Sequence, residues 1–366
     1  MSELPLRNRV VFVIRSDFRK ALGGDSVQAL STAKYLERLG YKVLVVGSNA
    51  KVDLRNFDIL HLFNVIRPND LLHWLDDWNG PVFLSTIFVE YTFNNGKKSI
   101  LSRLTEVFGS DFGEYVKNVI KMLLGKSRPF SFRYLLLGHR LAVRCLIRRA
   151  TLLLPNSESE QRRLSQKYGF HRYRKIPNGI DLEIFGRESD FDSKQFQNSI
   201  VCVGRIEPIK NQLNVILALS GLSIPVFFVG AVAPNHSAYY QQCVASAGSN
   251  IRFIGSMEQK DLVDVLRVSR VHVLASHFET TGLVSLEAAY MGCNIVVTNR
   301  GDQYEYFHDF AWFCDPNDIV DIRSKVLEAY HSERNYYSPQ ERIRTYYSWD
   351  AVAKETSRAY RSWGDK

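Results

Sequence analysis

Short, mainly apolar runs separated by helix-period segments constrain this chain more than any other feature. RVVFVIR (9–15), KVLVVG (42–47), FDILHLF (57–63), VFLST (82–86) and TLLLPNS (151–157) have strand length and no polar face. A second series follows: SIVCVGR (199–205), PVFFVG (225–230), NIRFIG (250–255), RVHVLAS (270–276), NIVVTN (294–299) and AWFCDP (311–316). Strands of this kind are buried on both faces, as in parallel sheets covered by helices. Helical segments such as SVQALSTAKYLERLG (26–40) and 158–168 stand between them. The alternation predicts open α/β sheets, and its two series predict two doubly wound domains. At 366 residues the chain is long enough for two full cores. In such sheets ligands lie beyond the carboxyl ends of the strands. The loops that leave those ends are therefore the places to look for chemistry.

The loop after 270–276 opens the stretch HFETTGLVSLEAAYMG (277–292). Thr280-Thr281-Gly282 reads as a helix entrance and Gly292 as its stop. Free backbone N–H groups at about 281–284 would point out of the helix start, where the macrodipole is positive, an arrangement suited to phosphate. Glu279 precedes that start and Glu287 falls in the second turn, so both face a ligand held there. The plainer alternative is a surface helix with two solvated carboxylates. After 199–205, Arg205 and Lys210 flank the loop IEPIKN. Two cations there neutralise a diphosphate; the alternative is a surface salt bridge. Gly23 and Gly24 follow the first strand, where a glycine pair lets backbone approach a phosphate or simply marks a turn.

Charge is concentrated rather than spread. Residues 97–149 hold twelve Lys/Arg and three acids, which accounts for the whole net charge of +9. Val116, Val119, Ile120, Leu123 and Leu124 recur there at helical spacing beside Lys117 and Lys121. YLLLGHRLAVRCLIRRA (134–150) is apolar with Arg140, Arg144, Arg148 and Arg149. These are basic amphipathic helices, packed on a sheet with a solvated face or laid against an anionic membrane or a lipid-linked acceptor. Nucleic acid is not expected as a partner, since no recognition motif or base-stacking array is present. Residues 186–198 are polar and read as an interdomain linker; Asp190-x-Asp192 within them is either part of that linker or a metal pair. The five cysteines are scattered without a CxxC or zinc spacing, which suits a reducing cytoplasm. No apolar run reaches the roughly 18 residues a membrane span needs, and the first apolar run is too short for a signal peptide.

PNGID (177–181), VGRIEPIKN (203–211), FIGSM (253–257), HFETTGLVSLEAAYMG (277–292) and VVTNRGDQYEYF (296–307) occur in an order that resembles the retaining, nucleotide-sugar-dependent glycosyltransferases of family 4, the group 1 type with the GT-B fold. The second half matches in register. The first half matches more loosely through GGDSVQ (23–28), DILHLFNVIRP (58–68) and LSTIFVEY (84–91), similar to a bacterial branch associated with surface polysaccharide assembly. The resemblance implies two Rossmann-like domains facing across a cleft. The expected bounds are an acceptor domain over 1–185 with the basic insertion 97–149, a linker over 186–198, a nucleotide-sugar domain over 199–345, and a C-terminal helical segment, 346–366, crossing back to the first domain.

The resemblance also implies roles. Arg205 and Lys210 match the cations on the donor diphosphate, Glu287 the carboxylate that binds the ribose hydroxyls, and Glu279 the residue beside the donor sugar. Backbone from Thr281 through Gly282 to Leu283 would hold sugar and phosphate, Met257 would lie near the base, and Gly23 and Gly24 would close over the diphosphate. The implied activity is retaining, metal-independent sugar transfer from a UDP- or GDP-linked donor to a glycan or lipid-linked acceptor, with no cofactor, in the cytoplasm or at the inner face of its membrane. One departure stands out. Many relatives carry a histidine in the loop after the fourth strand, where this chain has Phe88, with Glu90 nearby. A nucleotide-sugar epimerase and a non-catalytic nucleotide-sugar- or glycan-binding subunit are the competing readings. A dehydrogenase fails because no G-x-G-x-x-G follows a strand.

Overall fold

A computed structural model describes residues 8–19, 23–89, 132–186, 191–334 and 337–364. The chain divides into two units, Met1–Pro177 with Val352–Lys366, and Asn178–Ala351. The first holds five strands: β1 (Arg9–Ile14), β2 (Lys42–Gly47), β3 (Ile59–Phe63), β4 (Val82–Ser85) and β5 (Leu152–Leu154). Their order is β2-β1-β3-β4-β5 and every pairing is parallel. The interior strands β3 and β4 are buried throughout, which is why their sequences show no polar alternation. Strand order reverses between β1 and β3, which makes a switch point where the loops after those strands diverge.

Helix Gly24–Arg38 begins two residues ahead of the expected start, so Gly24 is its first residue and Gly23 its N-cap. The long segment 97–131 lies outside the described residues. The second basic run forms a helix, Phe132–Arg149, broken at Gly138, whose positive φ of 67° suits a residue without a Cβ. Its inner side places Ala142, Val143, Leu146 and Ile147 in the core, while Leu136, Arg140, Leu141 and Arg148 are exposed. The C-terminal helix Trp349–Gly364 belongs to the first unit from Val352 onward. There His61 on β3 lies between the Tyr360 hydroxyl, 2.6 Å from Nδ1, and Ser85 Oγ, 2.9 Å from Nε2. Burial pushes the His61 pKa down to about 3, so the ring is neutral.

The second unit holds β6 (Ile200–Val203), β7 (Val226–Val229), β8 (Ile251–Gly255), β9 (Val271–Leu274), β10 (Asn294–Thr298) and β11 (Ala311–Cys314). Their order, β11-β10-β9-β6-β7-β8, is that of a dinucleotide-binding Rossmann sheet, and all pairings are parallel. The reversal falls between β6 and β9. The division between units falls at Pro177 and Asn178, upstream of the polar stretch 186–198. Residues 191–198 pack in the second unit: Phe196 is fully buried with its ring centroid 4.5 Å from that of Phe227. One well-placed aromatic ring ties down a segment whose average composition is polar. Asp192 Oδ1 accepts from the Lys194 backbone N–H, 3.2 Å, as a turn cap; Asp190 lies outside the described residues. Among the described residues no helix is long and apolar enough to cross a membrane.

Candidate active site

The switch point of the second unit lies where β6 and β9 end; Arg205 and Lys210 leave from the first of these ends and the stretch 277–292 from the second. Just after β7, Gly230 comes so close to the carbonyl of Gly204, just after β6, that a Cβ at Gly230 would stand 2.1 Å from its oxygen. The exits of β6 and β7 can meet only through glycine. The chain then makes a tight turn over Pro208–Lys210 and reverses through Asn211, which is left-handed at φ 57°. The Asn211 side chain donates to the carbonyls of Ala275, 3.0 Å, and Pro316, 2.7 Å. The His277 N–H donates to the Ile209 carbonyl, 2.9 Å. These bonds fasten the β6 loop to the β9 loop and aim Lys210.

The β9 loop is fixed as firmly. Glu279 pairs with Gly301 in an isolated parallel bridge, and the Asp302 N–H donates to the Glu279 carbonyl, 2.9 Å. A Cβ at Gly301 would lie 2.0 Å from that carbonyl oxygen. With both loops held, Lys210 Nζ stands 2.5 Å from Glu279 Oε2, and Ser276 Oγ donates to the same oxygen at 3.2 Å. The pair is largely withdrawn from water, with side-chain exposures of 24% and 10%. Arg205 leaves the same β6 end but stays 60% exposed, 3.0 Å from Glu207 Oε1.

Beyond Glu279 the helix Leu283–Tyr290 starts without a side-chain cap, because its N-cap is Gly282 in the left-handed region at φ 64°. Threonine at 281 does not cap it. Its hydroxyl donates to the Tyr306 hydroxyl, 3.3 Å, and accepts from Asn178 Nδ2, 2.9 Å. Gln303 donates to the Thr280 carbonyl, 2.6 Å, and its amide would touch a Cβ at Gly282 at 3.1 Å. Buried Asn178, Gln303 and Tyr306 therefore set the backbone at 280–282 and leave the first N–H groups of the helix directed outward. In the second turn, Glu287 is partly buried and accepts from Gln259 Nε2, 3.2 Å. Loss of solvent around its carboxylate pushes its pKa up to about 7. Met257 follows β8, two residues before Gln259, and packs partly buried against the core.

Lys210, Glu279, Thr281, Gly282, Leu283 and Glu287 thus gather at one sheet edge, with Arg205 on the same loop as Lys210. Gly23 and Gly24 stand in the first unit at its own switch-point exit, after β1. Buried Arg15 there pairs with Asp25, 2.9 Å, and Asp17, 2.8 Å. Phe88 is 2% exposed and points into the first unit's core, edge-on to Tyr168 with ring centroids 5.9 Å apart. It is a packing residue; Glu90 lies outside the described residues. Sequence reading gave no role to Ser276, Gln259, Gln303 or Tyr306: Gln303 and Tyr306 stand within VVTNRGDQYEYF, but their bonds, like that of Gln259, are made more than twenty residues away, and Ser276 was read only as the end of a strand. Asn178 was visible within PNGID, but its bond to Thr281 was not.

Two parallel α/β units with these strand orders define the GT-B class of fold. The chain superposes on sucrose-phosphate synthase from Thermosynechococcus elongatus with a TM-score of 0.72 at 13% identity, covering 98% of this chain and 100% of that one. Anabaena HepE in complex with UDP-glucose gives 0.68 at 15% identity, covering 97% and 99%. At such identities the likeness speaks for the fold. Residues 187–346 match the family model described as Glycosyl transferases group 1. A glycogen synthase of Mycobacterium tuberculosis is 30% identical over 115 residues, 30% of this chain and 28% of that protein. The matched part is therefore under a third of that curated relative's length.

Proposed function

We propose that this chain is a glycosyltransferase that moves a sugar from a nucleotide-diphosphate sugar to a glycan or lipid-linked acceptor, with retention at the anomeric carbon and without a metal. The Lys210–Glu279 pair at the Rossmann switch point, 2.5 Å apart beside an uncapped helix start, carries the reading. The leaving nucleotide gathers negative charge as the sugar becomes oxocarbenium-like. Arg205, Lys210 and the N–H groups of the helix start offer preorganised positive potential for that charge. Glu287 accepts from the ribose hydroxyls, and Glu279 orients the donor sugar and holds Lys210 in place. In a retaining, same-face displacement the departing phosphate oxygen takes the acceptor proton, so Glu279 forms no covalent bond to sugar.

The match of 187–346 to the group 1 model supports the class, and HepE, solved with UDP-glucose, supports testing uridine donors first. Surface polysaccharide assembly fits the first-half motifs GGDSVQ (23–28) and LSTIFVEY (84–91). Contact with an anionic membrane through 97–149 is supported by exposed Arg140, Leu141 and Arg148 on the helical run after Gly138 and by exposed Leu136 before it. A thermal-shift panel of UDP- and GDP-sugars tests the reading. A donor at 100 times its dissociation constant stabilises the native state by about 2.7 kcal/mol. Absence of any shift across the panel would remove the proposal. EDTA is expected to leave turnover unchanged, and no glycosyl adduct is expected on Glu279. Replacing Arg140, Arg144 and Arg148 with Ser is expected to weaken binding to anionic liposomes; unchanged binding would discard the membrane contact.

A further inference from the structure

One buried carboxylate plays no part in the chemistry above. Glu160 is 1% exposed and stands in the first turn of helix Glu158–Tyr168, three residues after the N-cap Ser157. Ser157 Oγ accepts from the Glu160 N–H, 2.9 Å, as in a capping box. The glutamate of a capping box turns back to the N-cap N–H. Glu160 reaches elsewhere. Its Oε2 accepts from the Asn156 N–H, 2.7 Å, and its Oε1 accepts both the Phe88 N–H, 2.7 Å, and the Thr86 hydroxyl. A carboxylate this deep is tolerable only when its oxygens are satisfied by donors.

Two of those donors flank Ile87. That residue has φ 45°, in the left-handed region that a β-branched side chain avoids. It sits just past β4, at the carboxyl edge of the sheet, and is partly exposed, whereas Phe88 is buried. Neighbouring bonds hold the same corner: the Asn64 N–H donates to the Ser85 carbonyl and the Val65 N–H to the Thr86 carbonyl, each 2.9 Å. Strain persists only where surroundings over-determine it, and such places cluster where ligands are met.

We infer that Glu160 is a positioning residue that clamps the β4 exit, holds Ile87 in its strained conformation and thereby shapes an acceptor-binding surface on the first unit. This rests on the glycosyltransferase reading for its substrate. Glutamine weakens the clamp, because it keeps the Phe88 and Thr86 bonds only by turning its NH₂ onto the Asn156 N–H, a donor against a donor.

Full-length wild type, Glu160→Gln, Ile87→Gly and the double variant are compared. Expected for Glu160→Gln is a tenfold or greater fall in kcat/KM for the acceptor, with nucleotide affinity by calorimetry within twofold of wild type. Ile87→Gly added to it recovers transfer severalfold, since glycine takes φ 45° freely. Undiminished transfer, no recovery in the double variant, or parallel loss of nucleotide affinity and transfer would overturn the clamp. Should Glu160→Gln not fold, Thr86→Val removes one donor only, and the same split in weaker form is expected; a folded Thr86→Val with unaltered transfer counts against it. A substrate-free readout separates this inference from the reading beneath it. Ile87→Gly raises the urea midpoint more in wild type than in Glu160→Gln, because the strain exists only while the clamp holds. Equal shifts overturn the clamp. Unequal shifts in a protein that transfers no sugar leave the clamp standing and remove the function.

Discussion

Glu279 and Glu287 look interchangeable in the sequence and differ in their surroundings. Glu279 is tied to Lys210 and Ser276, so a diphosphate bound at Lys210, as proposed, would compete with it. Glu279→Gln is therefore expected to tighten binding of the nucleotide diphosphate while turnover falls by about 10²-fold, as for loss of a preorganised polar group. Calorimetry and kinetics separate the two effects. Glu287 has a carboxyl raised to about 7, against an ordinary value of 4.5. If its ionised form binds ribose, nucleotide affinity drops roughly tenfold per pH unit below 7. The sign for stability is the opposite. The raised carboxyl opposes folding progressively from pH 4.5 to 7 and fully above it. Glu287→Gln should thus show a higher urea midpoint at pH 8, no gain below pH 4.5, and a flat pH profile of weaker binding.

At the scale of elements, the loops after parallel strands are held by glycines whose missing Cβ is the point. Gly301→Ala puts a methyl group 2.0 Å from the Glu279 carbonyl oxygen, so the bridge that sets Glu279 must open. A lowered melting temperature together with loss of nucleotide binding is expected. Gly24 offers a contrast, because a Cβ there meets nothing within 4 Å. Gly24→Ala should leave the melting temperature within about 2 °C, and is expected to reduce turnover only through crowding of a bound donor; activity equal to wild type would remove Gly24 from the donor site. Strands, helices and their order were legible because apolar runs of strand length alternate with helical periods. Helix 158–168 was read to the residue. The start of the first helix was missed because Gly23 and Gly24 look like loop, yet Gly24 lies within the first turn. The Ser157-x-x-Glu160 spacing at the start of helix 158–168 was not singled out, and the detour of the Glu160 carboxylate to the β4 exit is set by contacts far apart in sequence.

For the whole molecule, the C-terminal helix belongs to the first unit from Val352 on, through contacts made almost the full chain length apart. Tyr360 and Ser85 satisfy both nitrogens of a histidine held neutral, its pKa pushed from 6.5 to about 3. Tyr360→Phe leaves a buried ring nitrogen without that hydroxyl and should cost about 1–3 kcal/mol in urea unfolding. A lowered histidine pKa supplies stability that is present above pH 6.5 and lost as pH falls toward 3. Wild-type stability is expected to decline over that window, and His61→Gln should flatten the decline.

By itself the sequence determined the α/β alternation, the two series of strands, the loops that carry Arg205, Lys210 and Glu279, and the helix that carries Glu287. Those follow from periodicity and from the types of residue at strand ends, which are local properties. Tertiary structure alone decided that Lys210 and Glu279 meet, that Asn178, Gln303 and Tyr306 set the helix start, that Phe88 faces the core, and that Phe196 draws a polar stretch into the second unit. Each depends on which elements become neighbours in space, the first on the reversal of sheet order between β6 and β9, and no spacing along the chain encodes a contact made across it.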